Sequence, residues 1–338
     1  MKILFIGGTG LISSACSERA LECGMDLTLL NRGVSKKYPT PQQAHLMYGD
    51  IHADPANLAE QLGSQHFDAV VDFVAFTPQD IERDIQWFRG KTGQFIFISS
   101  ASAYQKPPEH YLITENTPLE NPFWEYSRNK IACEKLLMQD FHENGFPVTI
   151  VRPSLTYGPS QVTLCLDSWK HPFTVLDRMK KDKPVIIPGD GTSLWVTTWN
   201  ADFAVGLVGL LGKERAMGEA FTITSDEVRT WNYLYEEVAR ALGVELHPVH
   251  ITSELLAEYD ADLVGSLIGD KVNSVVFDNT KIKRLVPELN CKVSWAEGVR
   301  RSLAWFNSDP ARKTIDDEAN ALWDQIIQSY SHNRLMKK

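Results

Sequence analysis

Four apolar residues, Ile3-Leu4-Phe5-Ile6, run directly into Gly7-Gly8-Thr9-Gly10, and helical periodicity begins at Leu11. A strand, a turn without side chains and a helix in immediate succession form the start of a strand–helix–strand crossover, which commits the chain to an α/β fold. The same letters imitate a short leader, with Lys2 as a positive start and Ser13-Ser14-Ala15 before Cys16 as a lipoprotein-like cleavage site. Glycines interrupt the apolar stretch that a leader needs, and one lysine is a poor positive region. Cleavage would also remove the first strand of a pattern that the rest of the chain repeats.

Apolar runs at residues 27–30, 45–48, 69–74, 94–99 and 148–151 alternate with helical stretches at 11–23, 79–88 and 125–143. The runs are continuously apolar, as strands covered on both faces are, so the expected architecture is a doubly wound parallel sheet with right-handed crossovers. The second half is less regular. Strands are expected at 183–188 and 219–224, and helices at 201–211, 231–242, 253–265, 294–306 and 315–330. A length of 338 residues, 43% of them hydrophobic, fills one large domain or two closely packed ones.

No apolar stretch reaches the roughly 18 uncharged residues of a membrane span. A net charge of -9 gives no general attraction for nucleic acid or anionic lipid, although a local basic patch is compatible with it. The five cysteines (16, 23, 133, 165 and 291) are scattered and odd in number. They read as small core residues of a reduced, cytoplasmic protein and not as a disulfide framework or paired-cysteine metal motif.

The glycine turn has a chemical use. Without Cβ atoms the backbone of Gly7 and Gly10 can approach a pyrophosphate, and the amides that open the helix at Leu11 and Ile12 face its negative charge. Ser13 stands where a third small residue lets helix and strand pack. About 20 residues on, an acid binds the ribose 2′-hydroxyl in NAD sites. Here the sequence reads Leu30-Asn31-Arg32, and Arg32 suits a 2′-phosphate, which favours NADP over NAD. After the third strand, Asp50 is placed to take the adenine amino group and Ile51 to cover the ring.

Ser99-Ser100 lies at the end of the fifth strand, and Tyr126 and Lys130 are four apart on the following helix, hence on one face. An ammonium beside a phenol favours the phenolate and lowers its pKa. Tyr126 can then exchange a proton with a substrate hydroxyl or carbonyl, Ser100 can orient the same oxygen, and Lys130 can bond the nicotinamide ribose.

The segments GGTGLIS, GDI at 49–51, FISSASAY, YSRNK, RPSLTYGP at 152–159 and the GDG turn at 189–191 occur in this order. Together they resemble an extended short-chain dehydrogenase/reductase of the NAD-dependent epimerase/dehydratase family. The resemblance implies a Rossmann-type NAD(P)-binding domain over residues 1–160, with 195–226 returning to it. Residues 161–194 and 227–338 would form a smaller, interlaced α/β substrate portion. It also implies that Val74 and Ala75 line the cofactor and that Pro153 lies near the nicotinamide. A sugar carbon would lose hydride to NAD(P)+, and its hydroxyl would lose a proton to Tyr126. The Asp-Glu pair of family dehydratases is replaced by Ala101-Ser102, which disfavours elimination. The arginine that clamps a nucleotide diphosphate after the GDG turn is replaced by Trp195, which either stacks on a substrate or packs in the core.

No histidine among His110, His171, His247 and His250 has metal-site spacing, so no metal is expected. Lys180, Lys181 and Lys183 are a solvated helix end or a contact for a substrate phosphate. Phe123, Trp124 and Tyr126 either wall the pocket or pack the helix start. The expected partner is a small sugar-like molecule, with a homodimer compatible with the long helix. A carbonyl reductase of a non-sugar substrate is an alternative. So is a non-catalytic relative that binds RNA or senses nucleotides, although the net charge of -9 disfavours nucleic acid as a partner.

Overall fold

The computed structural model describes residues 1–35 and 37–335. The first half alternates as β1 (Lys2–Ile6), α1 (Leu11–Glu22), β2 (Asp26–Asn31), β3 (His45–Tyr48), α2 (Pro55–Leu62), β4 (Ala69–Asp72), α3 (Pro78–Phe88) and β5 (Phe95–Ile98). A short β6 (Leu112–Ile113), the long α4 (Glu125–Asn144) and β7 (Val148–Pro153) follow. Side chains alternate across a strand. Ile3 and Phe5 therefore enter one core with α1 residues Ala15, Cys16 and Ala20, while Leu4 and Ile6 enter the opposite core with α2, α3 and α4. Each fully buried side chain of this size contributes about 1.5–3 kcal/mol, which is why the runs carry no polar alternation.

Helix α2 was not expected from the pattern. Its signal is brief: Asp54 caps the Asn57 amide, and Pro55 occupies the first turn, where a missing N–H costs nothing.

The second half contains β8 (Leu155–Tyr157), α5 (Thr174–Lys180), β9 (Val185–Pro188), β10 (Leu194–Trp199), α6 (Asn200–Leu210), β11 (Glu219–Ile223), β12 (Val228–Thr230), α7 (Trp231–Leu242), β13 (Pro248–Ile251) and α8 (Ser253–Tyr259). After a π-helical segment, Val264–Lys271, come β14 (Val276–Phe277), α9 (Thr280–Leu285), α10 (Trp295–Asn307) and α11 (Asp317–Leu335). The main sheet has seven strands in the order β11-β7-β5-β4-β1-β2-β3. Every neighbouring pair in it is parallel. Strand order reverses at β1 and β4, and this switch point opens a crevice at the carboxyl ends of the strands.

The halves are interlaced. β11 takes the sheet edge beside β7, α6 packs on α1, and β6 pairs with β14. β10 lies between β8 and β12 in a separate small sheet. A third core beneath these elements gathers Tyr157, Trp195, Trp199, Trp231 and Trp295. No helix among the described residues is long and apolar enough to cross a membrane.

The one long helix expected at 253–265 is broken. Asp260 accepts the Asp262 amide in a turn, and a wider coil begins at Val264. The cause is tertiary: a Cβ at Gly265 would stand 2.2 Å from Cδ1 of Trp124, so only glycine lets this segment cross the start of α4. Asn121 ties the crossing, donating to the carbonyls of Gly269 (2.7 Å) and Ser102 (2.8 Å).

Candidate active site

A cleft of about 410 Å³ opens at the carboxyl ends of β1, β2 and β3 and beside the loop after β4. Gly7, Gly10, Arg32, Asp50, Ile51 and Val74 line it, as the sequence led us to expect. Gly7 has φ +85°, and a Cβ there would meet Val74 Cγ1 at 2.4 Å, so both conformation and space demand glycine. The Ser13 hydroxyl closes the turn, accepting the Gly10 amide at 2.8 Å and donating to the Gly7 carbonyl at 2.6 Å. The first-turn amides of α1, Leu11 and Ile12 among them, have no acceptor within the helix. No acid stands in that turn to compete for its dipole.

The 74–77 loop is held by carboxylates. Asp72, on β4, accepts the amides of Val74 (2.5 Å) and Ala75 (2.8 Å), and Asp80 accepts those of Phe76 (2.9 Å) and Thr77 (3.0 Å). Ala75 is fully buried under the cleft rather than on its wall. Arg32 and Asp50 face each other at 3.8 Å on the rim. One oxygen of Asp50 accepts the amides of His52 and Ala53. The His52 bond above all, with Arg32 adding, holds this carboxyl below its ordinary range. Thr40, Tyr48 and Phe76 also line the cleft. The sequence does not single them out, because Thr40 lies in a loop without periodic pattern and Tyr48 and Phe76 follow apolar runs at strand ends that read as core.

A second cleft of about 270 Å³ adjoins the first. Ser100, Tyr126 and Pro153 lie on it together with Trp124, Leu155, Trp169, Asp270, Lys271 and Phe277. Phe76 of the first cleft packs on Tyr126 of the second, ring centroids 6.2 Å apart, so the two cavities meet at the phenol. The Tyr126 hydroxyl is bonded to Ser100. Ser100 in turn shares a hydrogen bond of 2.9 Å with Ser102, which accepts one of 2.7 Å from Ser127. Ala101 and Ser102 bring no carboxylate to this point.

Lys130 sits 5.8 Å from the centroid of the Tyr126 ring, but its ammonium is donated to the carbonyls of Ala75 (2.7 Å) and Ile98 (2.8 Å). Burial pushes it down to about 8, with Asp72 opposing. The expected lowering of the Tyr126 pKa by Lys130 is corrected by the geometry. Burial raises the phenol and Asp270 adds to the rise, while the Ser100 bond is the only lowering influence. Lys130 points beneath the phenol into the strand ends rather than at its oxygen.

Beneath Ser100, Glu134 and Arg152 form a buried pair with Nη2–Oε2 at 2.6 Å, and Glu134 also accepts the hydroxyl of Ser99. Arg152 donates to Tyr104 as well. Trp195 is in the core, stacked on Trp231 at 5.4 Å, and does not reach the second cleft. Phe123 is outside the cleft, and Trp124 forms its wall. Lys181 pairs with Asp177 (2.7 Å) and Lys183 with Asp324 (2.9 Å), away from both cavities. His171, His247 and His250 bond to Thr314, Asp182 and Asn232.

Comparison with known proteins agrees with this fold. Chloroplast stem-loop binding protein of 41 kDa b from Arabidopsis thaliana is 26% identical over 346 aligned positions, covering 97% of this chain and 84% of that protein. An uncharacterized UDP-glucose epimerase of Bacillus subtilis is 26% identical over 260 positions, covering 67% and 78%. The structure of UDP-glucuronic acid 4-epimerase from Bacillus cereus, in complex with UDP-glucuronic acid and NAD, is similar at a TM-score of 0.72. It has 19% identity and covers 91% of this chain and 99% of that one. The profile of the NAD dependent epimerase/dehydratase family matches residues 3–224, from β1 to the end of the main sheet. The chain belongs to that family of enzymes.

Proposed function

We propose that the enzyme uses NAD(P) to oxidise or reduce a hydroxyl or carbonyl carbon of a sugar-like substrate, as an epimerase or as a net oxidoreductase. The observation that carries this reading is the junction of the two clefts, where Ser100 and Tyr126 share a hydrogen bond. The first cleft fits a dinucleotide: a glycine that only φ +85° and a missing Cβ allow, and a helix start free of acids. Gly7, Gly10 and the first-turn amides of α1 would hold NAD(P) there, and the cofactor would supply hydride transfer to and from the substrate carbon. Tyr126 takes or gives the proton at its hydroxyl, Ser100 holds the same substrate oxygen, and Lys130 supplies positive charge below the phenol. With Ala101 and Ser102 beside Ser100, no acid or base is present there for elimination. The reading is tested by incubating the protein with dinucleotide and a panel of sugars while following the reduced-nicotinamide band. An epimerase converts substrate with no net absorbance change, and a reductase consumes NAD(P)H in step with product. Failure to bind either dinucleotide overturns the reading.

Arg32 supports NADP over NAD. Its guanidinium is exposed on the rim, and its partner Asp50 stands at 3.8 Å, a pair weak enough for a phosphate to displace. Arg32→Ala should weaken NADPH by about tenfold or more, from the loss of a charged hydrogen bond of about 1.5–3 kcal/mol. NADH should change by less than about twofold. Fluorescence titration with both dinucleotides checks this, and equal effects would remove the preference.

The Lys130 ammonium titrates at about 8, below its usual value of 10.5. Deprotonation weakens the hold of Lys130 on the carbonyls of Ala75 and Ile98 beneath the site, so kcat/KM should fall as pH rises through about 8. The stability effect has the opposite sense. Burying a charged lysine disfavours the folded state, so this contribution destabilises fully below about 8 and fades as pH rises toward 10.5. A pH profile that stays flat to pH 10 in the native enzyme would remove Lys130 from this role.

The name of the Arabidopsis relative supports a second reading, an RNA-binding protein. Against it stand the net charge of -9 and the pairing of Lys181 and Lys183 with acids. Stem-loop RNA binding that falls steeply with salt and survives Tyr126→Phe would favour it.

A further inference from the structure

We propose that Lys271 binds the carboxylate of a single-ring, non-nucleotide substrate in the second cleft. The inference rests on the reading above that this cleft holds the substrate, and it adds the chemical class. Lys271 ends the π-helical segment that Gly265 allows to cross α4, and it lines the cleft alongside Ser100 and Tyr126. The residue is 4% exposed, yet among the described residues no carboxylate lies within 4.0 Å of its ammonium. Its Nζ lies 5.8 Å from the centroid of the Trp169 ring and attracts the buried carboxyl of Asp167 from a distance. An ammonium removed from water without a direct ion pair is costly, and an anion supplied by a ligand offsets that cost.

The surrounding charges favour one negative charge over two. Asp270 is occupied by Lys106 at 3.2 Å. Asp167, the other acid that feels Lys271, is pushed up to about 6 by burial. At neutral pH that carboxyl is still mostly ionised, so Lys271 is offset only from a distance and keeps no direct partner at the cavity, which suits a singly charged carboxylate better than a phosphate dianion. The walls, Trp124, Trp169 and Phe277, are flat apolar faces on which a ring can stack. The volume of about 270 Å³ is below the roughly 300–1,000 Å³ of sites for drug-sized ligands, which points to one ring. The tryptophan that replaces a diphosphate clamp is buried against Trp231 and offers nothing to a nucleotide.

The test is calorimetric titration of the full chain, with saturating NADP+ and again without dinucleotide. The probes are D-glucuronate and D-galacturonate, their neutral parents glucose and galactose, glucose 6-phosphate, and UDP-glucose. The uronates should bind about tenfold or more tightly than the neutral sugars, a difference of about 1.4 kcal/mol. Lys271→Met should erase that preference, and Lys271→Arg, which keeps the charge, should retain most of it. The unaltered protein alone already decides the question if the methionine variant fails to fold. Equal binding of uronates and neutral sugars, a preference that survives Lys271→Met, or tighter binding of the phosphate or the nucleotide sugar would overturn the proposal. So would no detectable uronate binding up to about 100 mM. Absent dinucleotide binding in the same experiment counts against the function reading, while absent uronate preference counts against Lys271 alone.

Discussion

Tyr126→Phe is expected to lower turnover by about 10²–10⁴-fold, the usual contribution of a positioned acid or base. Dinucleotide affinity should change by less than about twofold, because the substitution leaves the first cleft untouched. The phenylalanine ring keeps the packing of Tyr126 against Trp124, at 5.0 Å, and against Phe76. Only the hydroxyl bonded to Ser100 is lost, so a fall in rate reports proton transfer and not a collapsed site. Steady-state kinetics and dinucleotide titration on one preparation separate the two effects. Retained turnover would exclude Tyr126 from the chemistry, whatever its place between the clefts.

Glu134→Ala should cost about 3–5 kcal/mol of stability, the range for breaking a buried ion pair by removing one partner. Arg152 would keep its charge in a site where both side chains are almost fully buried, with only Tyr104 left to accept from it. Ser99 would lose its acceptor at the same time. Replacing both partners, as Glu134→Leu with Arg152→Met, should cost much less, because no charge is then stranded. Urea denaturation of the three proteins reads the difference directly. A single variant within about 1 kcal/mol of the original would show that the pair contributes little. Because Ser99 adjoins Ser100, the single variant should also loosen Ser100, the serine proposed to orient the substrate.

The first cleft was legible because its geometry is local. Gly7, Gly10 and Ser13 act within one turn, and their spacing alone places a cradle between strand and helix. The alternation of strands and helices reads the same way, because burial on both faces leaves an unbroken apolar run in each strand. Tyr126 and Lys130 share a helix face by simple periodicity, but periodicity does not decide where the ammonium points. It goes to the carbonyls of Ala75 and Ile98, which come from two other segments of the sheet. The sense of the Tyr126 shift follows: burial and Asp270 raise the phenol, and Ser100 opposes them in place of the lysine one turn away.

The amino-acid order by itself determined the parallel sheet, the glycine turn at its centre and the positions of Ser100 and Tyr126, since each depends on residues a few places apart. Only the tertiary structure decided what surrounds the phenol. The π-helical segment exists because a glycine meets Trp124, more than a hundred residues earlier in the chain. That crossing brings Asp270 and Lys271 to the cleft, while packing against Trp231 keeps Trp195 out of it. Contacts of this range leave no periodic trace in the sequence, because what selects each residue is the shape and charge of a partner that arrives only on folding.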